Sequence, residues 1–143
     1  MDGIDRQILE LLQENSRISH SELGKIVKLS IPAVSARIRK LESSGIIERY
    51  TVAVNREKLG LKLVAFVFVN LAAPEHSAAF RSAIAKLQPV LECHHVAGSY
   101  DYLLKVLVED TRALEDFITG SLKTIPGVVR SNTFIALSSI KTD

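Results

Sequence analysis

Residues 19–47 read S-H-S-E-L-G-K-I-V-K-L-S-I-P-A-V-S-A-R-I-R-K-L-E-S-S-G-I-I, and the spacing within this stretch predicts two short helices joined by a tight turn. Ser19 and Glu22 have the S-x-x-E spacing of a capping box, in which hydroxyl and carboxylate each satisfy an orphan backbone donor. Leu23, Ile26 and Val27 then make one apolar face at helical spacing. Ser30 can cap a second helix, with Pro32 in its first turn, where a missing N–H costs little. Val34, Ile38 and Leu41 recur at i, i+4 and i+7 as a buried stripe, and Gly45 can end the helix in a left-handed conformation.

The opposite side of that second helix is small, polar and basic. Projection at 100° per residue places Pro32, Ala36, Arg39, Lys40 and Ser43 across from the stripe, with Ser35 and Arg37 on the flanks. From Lys25 to Arg49 there are six basic residues and two acidic ones, a net +4, whereas Leu61 to Asp143 carries eight of each. A basic, hydroxyl-bearing face of this kind fits a DNA major groove, where arginines meet phosphates or guanine edges and small residues permit close approach. Charge alone is equally compatible with a solvated helix face. The pair of capped helices with a short turn favours a helix-turn-helix, whose DNA-facing residues would be Lys28, Ser30, Pro32, Ser35, Ala36, Arg37, Arg39 and Lys40.

The 143 residues are 47% hydrophobic and 24% charged, enough for two small cores in an ordinary soluble chain. A net charge of +2 is weak evidence for a nucleic-acid partner; its clustering is the stronger signal. The lone Cys93 excludes an intrachain disulfide framework and suits a reducing compartment. No apolar run approaches a membrane span, and Asp2 stands where a signal peptide would be basic, so a cytoplasmic protein without membrane contact is expected.

Ile4, Ile8, Leu11 and Leu12 predict a helix over 2–15, with Asp2 and Asp5 at its positive end. It should pack on the two motif helices as a three-helix head spanning residues 1–50. Ile46 to Val54 reads as an extended exit strand, and Asn55 to Gly60 as one capped turn, giving a linker over 51–60. Beyond Leu61 the order is strand (63–71), helix (around Phe80, Ala83, Ile84 and Leu87), strands (90–96 and 102–108), helix (capped by Asp110) and strand (128–140). The β-α-β-β-α-β order is that of the ferredoxin-like fold, so the chain is α+β: a helix-turn-helix head, of the winged kind, followed by a ferredoxin-like domain over 61–143. Both helices should cover one sheet face. The first strand is apolar on both sides (Val64, Phe66, Phe68 against Ala65, Val67, Val69), so its outer face requires a partner, most simply a second copy of the sheet.

Three stretches carry a resemblance: I-D-R-Q-I-L-E-L-L-Q-E-N-S-R-I-S (Ile4 to Ser19), V-x-x-R-I-x-x-L-E-x-x-G-I-I (Val34 to Ile47) and V-A-G-S-Y-D-Y-L-L-K-V (Val96 to Val106). Together they resemble the Lrp/AsnC (feast/famine) family of bacterial and archaeal transcription regulators over the whole chain. The resemblance implies a DNA-binding head, and a C-terminal domain for oligomerisation and effector sensing. It also implies dimers that assemble further, to tetramers or octamers, with amino-acid effectors bound where dimers meet. Two positions depart from the family pattern. Lys28 stands where glycine is usual, at a cost of about 1 kcal/mol if the position is left-handed, and Gly24 replaces the usual alanine.

A zwitterionic effector needs an acceptor for its ammonium and donors for its carboxylate. Asp101 offers the counter-charge and Gly98 lets backbone groups approach, with Ser99 and Tyr100 in the same loop; Ser131 and Thr133 share one face of the last strand. The plainer alternative is that Gly98 and Asp101 only form the turn. Cys93, His94 and His95 alternate across a strand and cannot converge, so neither metal binding nor catalysis is expected. With no P-loop or dinucleotide glycine pattern, no cofactor is expected either. The expected function is a sequence-specific DNA-binding regulator answering to an amino-acid-like effector. Two alternatives remain: an architectural DNA-binding protein that senses nothing, and an amino-acid-binding regulatory subunit whose head binds protein.

Overall fold

A computed structural model describes residues 1–142 and divides the chain into two compact units, Met1–Ala53 and the remainder from Val54. In the first, α1 (Gly3–Glu14), α2 (His20–Val27) and α3 (Ile31–Ser43) bury Ile8, Leu23, Val27, Val34, Ile38 and Leu41 in one core. The α3 stripe is as the heptad-like spacing predicts. Ile26 is not part of this core: it is 46% exposed, because an eight-residue helix needs only Leu23, Gly24 and Val27 to cover its inner side. The reciprocal capping box forms at α1, where Asp2 and Asp5 exchange side-chain bonds with each other's amides at 2.9 and 3.0 Å. At α2 the cap is one-sided, Ser19 Oγ accepting from the Glu22 amide.

The expected exit strand over 46–54 pairs with no other strand among the described residues. Ile46, Tyr50, Val52 and Val54 stay exposed, and the Tyr50 hydroxyl is tied to Glu42 at 3.2 Å. The predicted linker turn is present as a 3₁₀ turn, Glu57–Leu59, held by the Lys58 amide donating to Asn55 Oδ1 and closed by Gly60 at φ 84°.

The second unit is a four-stranded antiparallel sheet in the order β2-β3-β1-β4, with β1 Leu63–Leu71, β2 Val90–His95, β3 Tyr102–Val108 and β4 Val128–Ile135. Helices α4 (Ser77–Ala85) and α5 (Thr111–Gly120) bury Phe80, Ile84, Leu114 and Phe117 in one core with Ala65, Val67 and Val69 of β1 and Tyr102, Leu104 and Val106 of β3. The other face of β1 shows Val64, Phe66 and Phe68 with no helix over it; Phe66 is 36% exposed and Phe134, its β4 partner, 53%. Three boundaries differ from the sequence expectation. β4 ends at Ile135, not residue 140; α5 stops at Gly120, so that Leu122 is buried from a separate 3₁₀ turn; and a further 3₁₀ turn, Pro74–His76, precedes α4. That turn packs the His76 ring onto the Cα of Gly127, a residue at φ 92° where any β-carbon would enter the ring.

Candidate nucleic-acid interface and effector site

The geometry of the α2–α3 turn comes from two residues. Lys28 adopts the left-handed conformation (φ 59°, ψ 47°), and the amides of Lys28 and Leu29 both return to the Gly24 carbonyl. The chain therefore folds back so closely that a β-carbon on Gly24 would sit 2.6 Å from the Leu29 oxygen. The two family departures thus act together: glycine at 24 admits a close return, while Lys28 bears the left-handed strain and stays exposed. Ser30 Oγ then caps α3 by accepting from the Ala33 amide, which commits that hydroxyl to the helix.

On α3, Pro32, Ala36, Arg39 and Lys40 are exposed together on the face opposite Val34, Ile38 and Leu41. Among the described residues no carboxylate pairs with Lys28, Arg39 or Lys40. Ser35 is half-buried and its hydroxyl lies 2.7 Å from His20 Nδ1. Arg37 is placed differently from the rest of the predicted set. Its Nη1 donates to both Asp2 oxygens (2.7 and 2.8 Å) and to Asp5 (3.1 Å), stapling the start of α1 to α3. The Arg37 hydrogen bond, with help from the Asp5 amide, pulls the Asp2 carboxyl down to about 2. The same bonds push the guanidinium up from its ordinary value. The staple itself was not legible in the sequence, because its partners lie 32 and 35 residues away and leave no local signal.

In the second unit the loop before β3 is tied to the end of β1. Gly98 has φ 141°. Asn70 Nδ2 donates to the Ser99 carbonyl, and the Asp101 amide donates to Asn70 Oδ1 and the Val69 carbonyl. Asp101 Oδ2 accepts from the Leu71 amide at 2.8 Å, at the bulge where β1 and β4 change register. One oxygen of the predicted counter-charge is therefore spent on the fold. Tyr100 lies against Phe68 (centroids 5.1 Å apart) and under the Arg130 guanidinium (5.3 Å) on the uncovered sheet face. Ser131 and Thr133 pair with Val69 and Val67, so they lie on the helix-covered face. A single chain therefore does not bring the loop residues and the two hydroxyls onto one side of the sheet. Ser131 does line an open cleft with Lys123, Val128, Val129 and Arg130, which adds two cations that the sequence reading left out.

The Cys-His run behaves as alternation requires. Cys93 and His95 pair with Leu104 and Tyr102 on the helix side, and His94 pairs with Leu103 on the other. His94 and Lys105 both contact Glu92, holding its carboxyl below the usual range, the His94 bond contributing most. Burial pushes the Cys93 thiol up, against the pull of Arg81, so it is not an activated nucleophile. Among the described residues no acidic, cysteine or histidine side chains gather into a metal-binding group. One polar cluster was not foreseen: the buried Tyr102 hydroxyl bonds Ser77 and accepts from Arg81 Nε (2.7 Å), while its ring stacks on His95 (4.9 Å). It joins α4 to β2 and β3, and only the tertiary fold reveals it.

Residues 64–143 match the family model described as the Lrp/AsnC ligand binding domain, and residues 1–48 match one described as winged helix-turn-helix DNA-binding. The leucine-responsive regulatory protein of Klebsiella pneumoniae is 40% identical over 99% of this chain and 87% of its own length; that of Escherichia coli K12 is 39% identical over the same shares. A transcriptional regulator of Neisseria meningitidis, solved in complex with L-Met, superposes with TM-score 0.95 at 32% identity, covering 99% of this chain and 93% of that one. E. coli AsnC superposes with TM-score 0.96 at 26% identity over 100% and 96% of the two chains. These relatives are regulators, not enzymes. With a ligand-binding domain behind a helix-turn-helix head, the chain belongs to the Lrp/AsnC family of transcriptional regulators.

Proposed function

We propose that this protein binds double-stranded DNA sequence-specifically through α3, and that a small amino-acid-like effector alters its assembly or its DNA affinity. The observation that carries the DNA reading is the bare cationic face: Arg39 and Lys40 share the exposed side of α3 with Pro32 and Ala36, and they and Lys28 have no acidic partner among the described residues. Such charges gain most from displacing counterions on a phosphate backbone. Ser30 and Arg37 have structural duties at the cap and the α1 staple, so their share in the interface is smaller. Support for a homodimer comes from the open aromatic face of β1 and β4, and for further assembly to a tetramer or octamer from the family. Support for an amino acid comes from the L-Met complex of the Neisseria relative. In this reading Asp101 holds the effector ammonium through its second oxygen, the loop from Gly98 to Tyr100 presents backbone groups, and Ser131 and Thr133 come from another copy.

The decisive experiment is a gel shift on genomic fragments across a salt series, with wild type beside Arg39→Ala. Loss of one phosphate contact weakens binding and flattens the slope of log affinity against log salt by about one unit. Wild-type affinity and slope in Arg39→Ala would remove α3 from the interface.

A further inference from the structure

The contact between His20 and Ser35 is the only side-chain hydrogen bond joining α2 to α3 among the described residues. His20 is the first residue of α2; Ser19, just before it, spends its hydroxyl on the cap, and the His20 side chain lies outside the buried stripe. A serine inside a helix ordinarily turns its hydroxyl back to the carbonyl four residues earlier. Ser35 instead reaches across to the imidazole, 2.7 Å away, while its own carbonyl accepts from Arg39 Nε at 3.4 Å. The hydroxyl on the flank of α3 is thus aimed by a residue of the neighbouring helix.

We propose that His20 is a positioning residue for sequence reading: its Nδ1 accepts a hydrogen bond from the Ser35 hydroxyl, leaving the Ser35 oxygen as a hydrogen-bond acceptor toward the base edges. This rests on the reading of α3 as the groove helix. A neutral imidazole has one donor and one acceptor nitrogen, so the partner of Nε2 sets the role of Nδ1. Nε2 is free of protein partners among the described residues. For the neutral ring, a phosphate oxygen at Nε2 would favour the tautomer with its proton there. Nδ1 then accepts, the Ser35 proton is committed to it, and the serine oxygen offers lone pairs alone. The base groups that complement it in the major groove are the amino groups of cytosine N4 and adenine N6, while guanine O6 and N7 are repelled. Without His20 the hydroxyl rotates freely, and donates or accepts as the base requires.

The test is selection from a randomised duplex pool by the full chain, followed by competition binding on the selected site and its single-base variants. Wild type, His20→Ala, Ser35→Ala, the double variant, His20→Gln and Arg39→Ala are compared. The expected result is that His20→Ala and Ser35→Ala relax a cytosine or adenine preference at the same base pair, each by about fivefold to tenfold. The double variant goes no further, and His20→Gln, which keeps an acceptor, recovers part of the preference. Melting temperature and salt slope of His20→Ala match wild type, because an exposed neutral contact is lost. A His20→Ala protein with wild-type base preference, or effects of the two residues at different base pairs, overturns the inference. If Ser35→Ala and Arg39→Ala also change nothing, the groove-helix reading falls with it; if those two act and His20→Ala does not, only this inference falls.

Discussion

Replacing Phe66 by aspartate tests whether the uncovered face of the sheet is an assembly surface. Phe66 is 36% exposed and stands in register between Lys105 of β3 and Phe134 of β4, which is 53% exposed. A phenylalanine presents about 200 Å², so covering these two residues in a two-fold pair removes roughly 350 Å² of apolar surface. At about 25 cal/mol per Å² that is about 9 kcal/mol, within the range of about 4–15 kcal/mol that association costs before other contacts are counted. Phe66 supplies about 3.5 kcal/mol of it from both copies, so Phe66→Asp should weaken the dimer by about 300-fold. Lys105 can pair with the new carboxylate, so the loss comes from area and not from a stranded charge. The isolated unit should still fold, since this side chain is not enclosed. Val67→Asp is the contrasting variant: Val67 is fully buried under the helices, and a carboxylate there should unfold the domain outright. Sedimentation equilibrium with circular dichroism separates the two outcomes. A folded wild-type monomer at micromolar concentration, or unchanged association of Phe66→Asp, would refute the reasoning.

Gly127→Ala combines a left-handed backbone with a clash against His76, and should cost about 2–4 kcal/mol in thermal melts; adding His76→Ala should recover the steric part. Asp2 has a folded-state pKa near 2, below its ordinary 3.8, so its bond to Arg37 stabilises the head at pH 4 and above and is lost as pH falls toward 2. An acid titration of Asp2→Asn should therefore lack part of the wild-type loss in that window, and an identical profile would show that the staple adds nothing. Asp101→Asn keeps an acceptor for the Leu71 amide, so it should melt near wild type while losing about 2 kcal/mol of affinity for amino acids in calorimetry with L-methionine and the other nineteen. A lower melting point with unchanged ligand affinity would leave Asp101 a turn residue only.

What was legible in the sequence is what short-range physics writes there. Ser19, Ser30 and Asp110 each cap a helix where their spacing to the next apolar stripe indicates, and Asn55 and Gly60 bracket the linker turn. Alternation along β1 assigned Ala65, Val67 and Val69 to one side correctly, because strand period is fixed whatever the strand pairs with. The candidate site was less legible because it depends on register. Ser131 and Thr133 do share a face, but which face is set by pairing with Val69 and Val67 across a bulge that no local pattern announces. Asp101 similarly has a polar loop sequence around it, yet its carboxylate finds a β1 amide 30 residues away. The 46–54 segment has strand composition without a strand, since composition supplies propensity and only a neighbour supplies hydrogen bonds.

The head shows how little of a binding surface needs to touch its target. A helix that reads DNA has to hold its exposed residues within a fraction of an ångström, and packing of one apolar stripe leaves rotation about the stripe as the soft motion. In α3 that motion is opposed from both flanks. On one side Arg37 is gripped by the two acidic residues that cap α1; on the other Ser35 meets His20 at the start of α2. The exposed arc between the flanks spans about 200° around the helix axis, by the 100° step of an α-helix. Between them remain Pro32, Ala36, Arg39 and Lys40, free of intramolecular side-chain partners among the described residues. On the proposed reading, Arg37 serves first as a support of α3, whereas Ser35 is steadied by His20 while its oxygen stays turned to the target beside the bare residues.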